Sequence, residues 1–456
     1  MNPLQARLKF LQLISLTTIF AGGYQSPLRK LAMTGAAWTF AGYAAIQALR
    51  LGSNLILTRL LFPEAFGLMA IVQVWVVGLQ LFSDVGIVPA IIQSKRGDDP
   101  DFLNTAWSIQ VVRGTVLWIC SGLLAWPAAA LYHEPMLQYL LPVVGVNAFI
   151  SGFNSTKLAT VNRNLSLKRL ITIETISYAL GLLVMIIWAL HTKTVWSLVG
   201  GGIFTTLVKM AASHKNLPGP SNKWHFDWQS FHDLRKFGSW IFLSSIVTFL
   251  VGQGDRLLIG YLLDVRFLAF FSLAVGMSNV FHESFRSIGG KVLFPVYSKV
   301  VRENPDNLYH ILRKSRFLQI AISGVISLFF ILFGKNIMAM LYDARYIDSG
   351  WMLQLLAVGQ LYHVLESSNV GVLMALGKTK AMTLLLTIQS ILQIITVPAA
   401  YYFLGDKGII YGIILSKFLF YPINSYLFYK IRLWQPEVDI PFWLIFTTIT
   451  ILFFSI

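Results

Sequence analysis

Charged residues are scarce in this chain of 456 residues, where Asp, Glu, Lys and Arg together make up 12%. Soluble domains carry about 25% charged residues, so the deficit excludes an ordinary soluble protein. Disorder is excluded as well, because 33 Phe, 17 Tyr and 13 Trp need an apolar environment. A helix that crosses a bilayer needs roughly 20 apolar residues. The composition therefore predicts an all-α integral membrane protein with many spans.

Cysteine is almost absent, and the single residue Cys120 lies in an apolar run. A disulfide framework and a thiolate metal site are thereby excluded. The eight histidines lack metal-ligand spacing, and no Ser/His/Asp set stands out. The acidic segment 97–101 (GDDPD) is typical of a loop in which Asp99 caps a helix and Pro100 is its first residue. We therefore predict no enzyme, no metal centre and no catalytic residue.

Apolar runs bounded by Gly, Pro and charge clusters predict twelve spans in two bundles of six. The spans cover residues 35–58, 64–92, 103–131, 136–156, 168–190, 194–213, 234–262, 266–299, 308–334, 349–376, 379–403 and 407–430. A thirteenth apolar stretch at 441–456 is too short for the sequence to assign its role. Residues 10–22 resemble the apolar region of a signal peptide, but we interpret residues 1–30 as an interfacial or cytoplasmic extension.

The net charge of +16 has two interpretations, nucleic-acid binding or cationic cytoplasmic loops. With the N-terminus in the cytoplasm, 25 of the 36 Lys and Arg fall on the cytoplasmic side, six outside and five within spans. This asymmetry follows the positive-inside rule and sets the predicted orientation. It accounts for most of the charge, so we expect no nucleic-acid partner.

The two halves of the chain carry an internal repeat. Residues 158–176 align without gaps on 373–391 with five identities, and both segments join the fourth and fifth spans of a half. We predict five regions: the extension 1–30, a bundle at 31–213, a cytoplasmic linker at 214–233, a second bundle at 234–432, and an apolar segment at 433–456. An even number of spans per repeat relates the bundles by an axis along the membrane normal, with a central cleft suited to alternating access.

Ionisable residues within spans are costly and are expected to face a cavity or a partner. A guanidinium matches the geometry of phosphate. The basic residues within the predicted spans therefore predict a cavity for an anionic, phosphate-bearing headgroup. Glu366 and Asp255 are candidates for coupling transport to H+ or Na+. We expect no cofactor besides such an ion. Alternatives stay open, because Arg50 can snorkel, Asp255 can pair with a neighbouring span, and Glu283 can pair with Arg286. The basic residues within the predicted spans are Arg50, Arg113, Arg256, Arg286 and Lys417.

Several segments resemble the polysaccharide-export flippases of the multidrug/oligosaccharidyl-lipid/polysaccharide exporter superfamily. They are 57–72 (LTRLLFPEAFGLMAIV), 82–93 (FSDVGIVPAIIQ), 161–175, 254–263 and 292–300. The resemblance covers roughly residues 28–430 and implies 12 or 14 helices in a bacterial cytoplasmic (inner) membrane, with both termini cytoplasmic. It also implies an outer gate or structural turn around Arg59, Pro63 and Glu64.

The resemblance implies movement of a polyprenyl-pyrophosphate-linked oligosaccharide repeat unit to the outer leaflet, for exopolysaccharide, capsule or O-antigen synthesis. The expected partners are this lipid-linked substrate, membrane lipids, and the polysaccharide polymerase and glycosyltransferase machinery. One alternative is a cation-coupled multidrug-type exporter on the same fold. Another is a membrane-embedded polysaccharide polymerase or ligase, which is disfavoured because no external connection is long enough to carry catalytic residues.

Overall fold

The computed structural model describes residues 27–84, 86–94, 96–164, 166–288, 293–303 and 305–455, so most of the extension predicted at 1–30 lies outside the described residues. All regular structure in these ranges is helical, which confirms the predicted all-α class. The helices are α1 (Pro27–Leu60), α2 (Pro63–Phe82), α3 (Ile87–Gln93), α4 (Pro100–Leu123), α5 (Ala125–Tyr132), α6 (Leu137–Gly152), α7 (Lys157–Arg163), α8 (Leu167–Thr192), α9 (Trp196–Lys215), α10 (Trp228–Leu262), α11 (Val265–Ile288), α12 (Phe294–Glu303), α13 (Leu308–Leu341), α14 (Ser349–Ala375), α15 (Thr379–Leu404), α16 (Asp406–Lys430) and α17 (Pro436–Ser455).

Local sequence signals set several helix starts. The Asp99 carboxylate accepts the backbone N–H of Asp101, and Pro100 is the first residue of α4, as the sequence predicts. The Asp227 carboxylate caps α10 in the same way by accepting the backbone N–H of Ser230 at 2.9 Å. These caps satisfy amide groups that have no partner within the helix.

One of the predicted spans, 64–92, contains a break between two helices. The span 64–92 divides into α2 and α3, because the Asp84 carboxylate accepts the Gly86 amide at 2.9 Å and Gly86 has a φ of 64°. Glycine tolerates that left-handed conformation, which ends the helix. In the span 266–299 the described residues form α11 and α12, and residues 289–292 lie outside the described residues. A gentler change occurs in 103–131, where α4 and α5 meet at a bend of 42°.

Five helices in the described ranges are long and apolar enough to cross a bilayer on length and composition alone, and the bent pair α4–α5 adds a sixth. The other long helices contain more small or polar residues, as expected for helices that line an interior. The C-terminal apolar stretch forms α17, a helix of 20 residues that packs against α13 and α14. It is therefore a structured part of the helix bundle.

The two halves of the chain use the same helix pairs. In the first half α1 packs on α8, α4 on α6, α8 on α9, α2 on α6, and α6 on α9. The corresponding pairs in the second half are α10 with α15, α13 with α14, α15 with α16, α11 with α14, and α14 with α16. We call α1–α9 the N-terminal half and α10–α17 the C-terminal half. They meet mainly where α2 packs on α10 and α11.

The connections at 94–99, 153–156, 216–227 and 376–378 lie at one end of the molecule, which we call the basic end. Those at 61–62, 133–136, 263–264 and 342–348 lie at the other, which we call the opposite end. One large apolar core joins both halves and includes Leu57, Tyr132, Ile259, Val265 and Tyr346 near the opposite end. Toward the basic end the buried apolar residues described form smaller clusters, each belonging largely to one half. The halves are thus joined tightly at one end and less at the other.

Candidate functional site

The opposite end is closed by contacts between the halves. Arg345, in the connection between α13 and α14, donates from Nη2 to the backbone carbonyls of Thr58 at 3.1 Å and Arg59 at 3.0 Å. These carbonyls belong to the last turn of α1 and lack helical partners, so a guanidinium there completes the helix end. The Arg345 guanidinium also lies 5.2 Å from the centroid of the Phe62 ring.

The side chain of Arg345 is held in place by Asp343, whose carboxylate accepts its Nε–H at 2.8 Å. This hydrogen bond lowers the pKa of Asp343 below its ordinary value. Next to it, the fully buried Tyr346 donates its hydroxyl to the carbonyl of Leu61 at 3.1 Å. We call the contacts of Arg345 and Tyr346 with the end of α1 and Leu61, together with the supporting Asp343, the outer latch.

The predicted gate residues lie at this end, although their side chains take little part in the latch. Pro63 is the buried first residue of α2, Glu64 is exposed in its first turn, and Arg59 is exposed and contributes its backbone carbonyl. A closer contact lies one turn further on. A side chain at Gly67 would bring its Cβ well inside van der Waals distance of the Val265 carbonyl oxygen.

A cavity of about 600 Å³ lies within the N-terminal half toward the basic end. Arg113 lies on its wall, and donates from Nε to the Ser83 hydroxyl at 3.0 Å and from Nη2 to the Gln80 carbonyl at 2.8 Å. A guanidinium has five N–H donors, so these two bonds leave three for a ligand. Asp84 also lines the cavity and acts electrostatically on Arg113.

A second ion pair lies in the same cavity. The Lys209 ammonium of α9 lies 2.9 Å from a carboxylate oxygen of Glu174 on α8, and both side chains remain about one-third exposed. The positive-inside count placed Lys209 among the 25 basic residues on the cytoplasmic side, and the structure places it on α9 in the cavity wall. With Arg113 and Asp84, the cavity holds two positive and two negative groups. It is polar and charge-balanced, not purely cationic.

The C-terminal half contains a buried charged cluster, which we call the Glu366 cluster. Glu366 on α14 is buried, and neither carboxylate oxygen has a hydrogen-bond partner among the described residues. His363 Nδ1 lies 3.9 Å from Glu366 Oε2, one turn away. Lys417 on α16 is close enough to act electrostatically on both Glu366 and Asp255 of α10. Three predicted site residues are therefore brought into one electrostatic group.

The remaining cationic candidates are distributed more widely. Arg256 donates within its own helix to Gln253 at 3.1 Å. Arg50 on α1 is exposed and acts electrostatically on Tyr178 of α8. The backbone of α11 includes position 286, but the Arg286 and Glu283 side chains lie outside the described residues. That the five cations line one cavity therefore stays a prediction.

Sequence reasoning missed the most completely buried ion pair described. Arg316 on α13 donates from Nε and Nη2 to the Asp439 carboxylate on α17, at 2.7 and 2.9 Å, and the side chains are 2% and 0% exposed. The guanidinium also donates to Asn369 and to the Leu365 carbonyl of α14. The sequence count assigned Arg316 to the cytoplasmic side. An aspartate at the start of an apolar helix was the available signal for a buried partner.

The repeated arrangement of helix pairs, together with the long apolar helices, is that of a multi-pass membrane protein. The profile of a family described as polysaccharide biosynthesis protein matches residues 56–349, more than half of the chain, and the chain belongs to this family. It is similar to the lipopolysaccharide biosynthesis protein WzxC of Escherichia coli K12, with 23% identity over 429 residues. That alignment covers 90% of this chain and 85% of WzxC. The predicted family resemblance is confirmed.

Solved structures share the fold. The lipid II flippase MurJ, in an inward closed conformation, superposes with a TM-score of 0.70 at 14% identity, covering 93% of this chain and 92% of that chain. An inward-facing multidrug resistance MATE family transporter gives a TM-score of 0.68 at 15% identity, covering 85% and 94%. Identity this low shows the fold alone. Both likenesses agree with the predicted membrane-transporter architecture.

Proposed function

We propose that this protein is a flippase that moves a polyprenyl-pyrophosphate-linked oligosaccharide across the bacterial cytoplasmic membrane by alternating access. The basic end faces the cytoplasm in this proposal, in accord with the positive-inside count. The observation that carries it is the asymmetry of the molecule, with a polar cavity toward the basic end and a latched opposite end. Membership in a polysaccharide biosynthesis family supports a substrate that belongs to polysaccharide synthesis.

Arg113 is the residue that we assign to the pyrophosphate. Its two internal hydrogen bonds orient the guanidinium on the cavity wall and leave three donors for phosphate oxygens. Lys209 is paired with Glu174, so a phosphate would have to compete for the ammonium. Charge balance in the cavity therefore favours recognition by directed hydrogen bonds over simple attraction to positive charge.

Alternating access requires the outer latch to open. The Arg345 and Tyr346 bonds to the end of α1 hold the halves together at the opposite end. When these bonds break, the halves can separate there and close at the basic end, where their apolar clusters are largely separate. The cycle then exposes the headgroup to the far leaflet while the polyprenyl chain stays in lipid.

The Glu366 cluster is our candidate for coupling to H+ or Na+. A buried carboxylate without a hydrogen-bond donor is energetically costly unless it is protonated or binds a cation. Lys417 and Asp255 adjust the charge around it, so gain or loss of a proton or ion changes the local balance. The same feature favours a second candidate function, a cation-coupled exporter of small amphipathic molecules.

The test is to deplete the protein and measure how much lipid-linked oligosaccharide reacts with a membrane-impermeant reagent in spheroplasts. We expect accumulation in the protected inner leaflet and loss of surface glycan. Repeat units that reach the outer leaflet but remain unpolymerised would instead identify a polymerase or ligase. Normal flipping with loss of amphipathic dye efflux would identify the exporter. The polymerase and glycosyltransferases are the partners we propose for the intact pathway.

A further inference from the structure

The linker between the two halves is fixed to the surface of the N-terminal half. The backbone amides of Lys223, His225 and Asp227 donate to side chains of α4, namely Asn104 at 2.9 Å, Ser108 at 3.1 Å and Thr105 at 3.0 Å. The Ser108 hydroxyl also donates to the His225 carbonyl at 2.9 Å. Alternate residues thus bind α4, as in an extended strand. We call residues 222–228 the linker strap.

The intervening positions of the linker strap present aromatic side chains outward. Trp224, Phe226 and Trp228 are 66%, 47% and 75% exposed. Phe226 and Trp228 contact each other edge-on at 5.2 Å, and both contact Phe231, yet most of their surface stays uncovered. Three neighbouring exposed aromatic residues are unfavourable in water and mark a surface that contacts an apolar phase or a partner.

This aromatic surface is continuous with the lipid-facing side of the N-terminal half. Trp224 contacts Trp107 of α4, and ring contacts continue through Phe153 and Phe149 to Trp118. Trp118 is exposed on α4, together with a helical stripe of apolar residues: Val112, Val116, Ile119 and Leu123. In an integral membrane protein such a stripe faces lipid.

The depth of the linker strap fits the edge of the bilayer. Its partners on α4 lie four to eight residues after Pro100, which corresponds to about 6–12 Å along the helix. Tryptophan concentrates at this boundary because its ring is apolar and its N–H remains polar. The exposed Lys223 beside the rings can extend toward lipid phosphates.

We propose that the linker strap lies in the headgroup–acyl boundary of the leaflet at the basic end, with Trp224, Phe226 and Trp228 inserted between phospholipids. The occupant of this surface is lipid, not a cytosolic protein. The strap anchors the N-terminal half at the membrane surface and starts α10 from a fixed point, because Asp227 both binds α4 and caps α10. The inference does not depend on the transported substrate.

The test uses site-directed spin labels on the full chain in phosphatidylethanolamine–phosphatidylglycerol vesicles. The background is Cys120→Ser, which removes the only native thiol. Single variants Trp224→Cys, Phe226→Cys and Trp228→Cys carry the label, and Ser221→Cys is an exposed control just before the strap. We expect the three strap labels to collide with oxygen more than with a water-soluble nickel complex, at about 5–10 Å below the phosphates. The control label should remain accessible to nickel.

Nickel accessibility at the three strap positions equal to that at Ser221 would overturn the proposal and leave a protein partner as the occupant. A second measurement protects against local disruption by the labels. Lipids brominated near the headgroup should quench part of the tryptophan fluorescence of the unlabelled protein. The double variant Trp224→Phe and Trp228→Phe keeps the rings apolar and should show a smaller quenched fraction, and an unchanged fraction would also overturn the proposal.

Discussion

The two halves share their helix pairs, but one ion pair in each half shows a large difference in burial. In the N-terminal half Lys209–Glu174 lines a cavity and remains about one-third exposed. In the C-terminal half Arg316–Asp439 is sealed from solvent, and Glu366 is buried without a hydrogen-bond donor among the described residues. The shared framework does not explain this difference, so it reflects the side chains placed on it. We infer that the N-terminal half binds a ligand and the C-terminal half responds to an ion.

The largest effect is expected from breaking the buried pair. Asp439→Asn removes the carboxylate that is hydrogen-bonded to the buried Arg316 guanidinium, which should cost about 3–5 kcal/mol and detach α17. Glu174→Gln, the matched change in the exposed pair, should cost about 0.2–1 kcal/mol. Thermal unfolding of both variants in detergent measures the contrast. Equal losses of stability in the two single variants would show that the difference in burial between the two ion pairs has no energetic effect. The double variant Arg316→Met with Asp439→Leu removes both buried charges and should recover most of the stability.

The next largest effect is expected from a change at the close contact between Gly67 and Val265 at the opposite end. Gly67→Ala places a Cβ against the Val265 carbonyl, so the closed arrangement can form only if the backbone shifts. Flipping should be lost while the protein stays folded. Gly52→Ala is the matched control, because a Cβ there meets nothing within 4 Å. Accessibility of cysteines placed at the opposite end reports closure, and normal closure in Gly67→Ala would contradict the contact.

The ligand-binding role of the N-terminal half is tested by Arg113→Lys. The change keeps the positive charge but removes the planar fork, so flipping should fall by about 10–100-fold if directed phosphate contacts matter. Arg169→Lys, an exposed change at the basic end, is the control and should leave transport unchanged. A normal rate in Arg113→Lys at wild-type protein level would place the phosphate elsewhere.

The ion-response role of the C-terminal half is tested by Glu366→Gln. The neutral amide cannot bind or release a proton, so transport should lose its dependence on the proton or sodium gradient while substrate binding persists. Glu174→Gln in the N-terminal half should keep that dependence. The measurement is flipping in vesicles with imposed gradients, and unchanged coupling in Glu366→Gln would reject the assignment.

The smallest effect concerns Glu134, in the connection between α5 and α6 at the opposite end. Burial, and then the nearby Asp264, raise its pKa above the ordinary 4.5. The folded state therefore binds this proton more tightly than the unfolded state, so the group favours folding as pH falls through that raised pKa. Glu134→Gln should flatten the pH dependence of the unfolding midpoint just above pH 4.5 by a small amount, because the side chain is only partly buried. An unchanged slope would count against the raised pKa of Glu134.

Much of the architecture was predictable because it depends on composition and periodicity. The twelve apolar runs, the cap at Asp99 and the first helical position of Pro100 follow from local rules that need no partner. The break at 83–86 was missed because the apolar pattern continues through it, while the Asp84–Gly86 hydrogen bond ends the helix. The family resemblance was carried by contiguous segments, and the family profile confirms it.

The site was only partly predictable. Sequence reasoning selected Glu366, Asp255 and Lys417 because ionisable residues within spans are costly, and the structure brings them together. It expected Arg113 to line one central cavity together with residues of the other half, and the structure places Arg113 on the wall of a cavity within the N-terminal half, where it binds the end of α2. It missed the outer latch, because the latch depends on backbone carbonyls of α1 meeting a connection nearly 290 residues later.

The sequence by itself determined that the chain is an all-helical membrane protein with a repeated half and a strongly basic end. Those properties follow from hydropathy, helix signals and the distribution of Lys and Arg, which each segment carries alone. Only the tertiary structure decided which charges are buried, which are paired and which end is closed. These features depend on contacts between distant segments, and the free energy of a charge in a membrane protein depends on those neighbours.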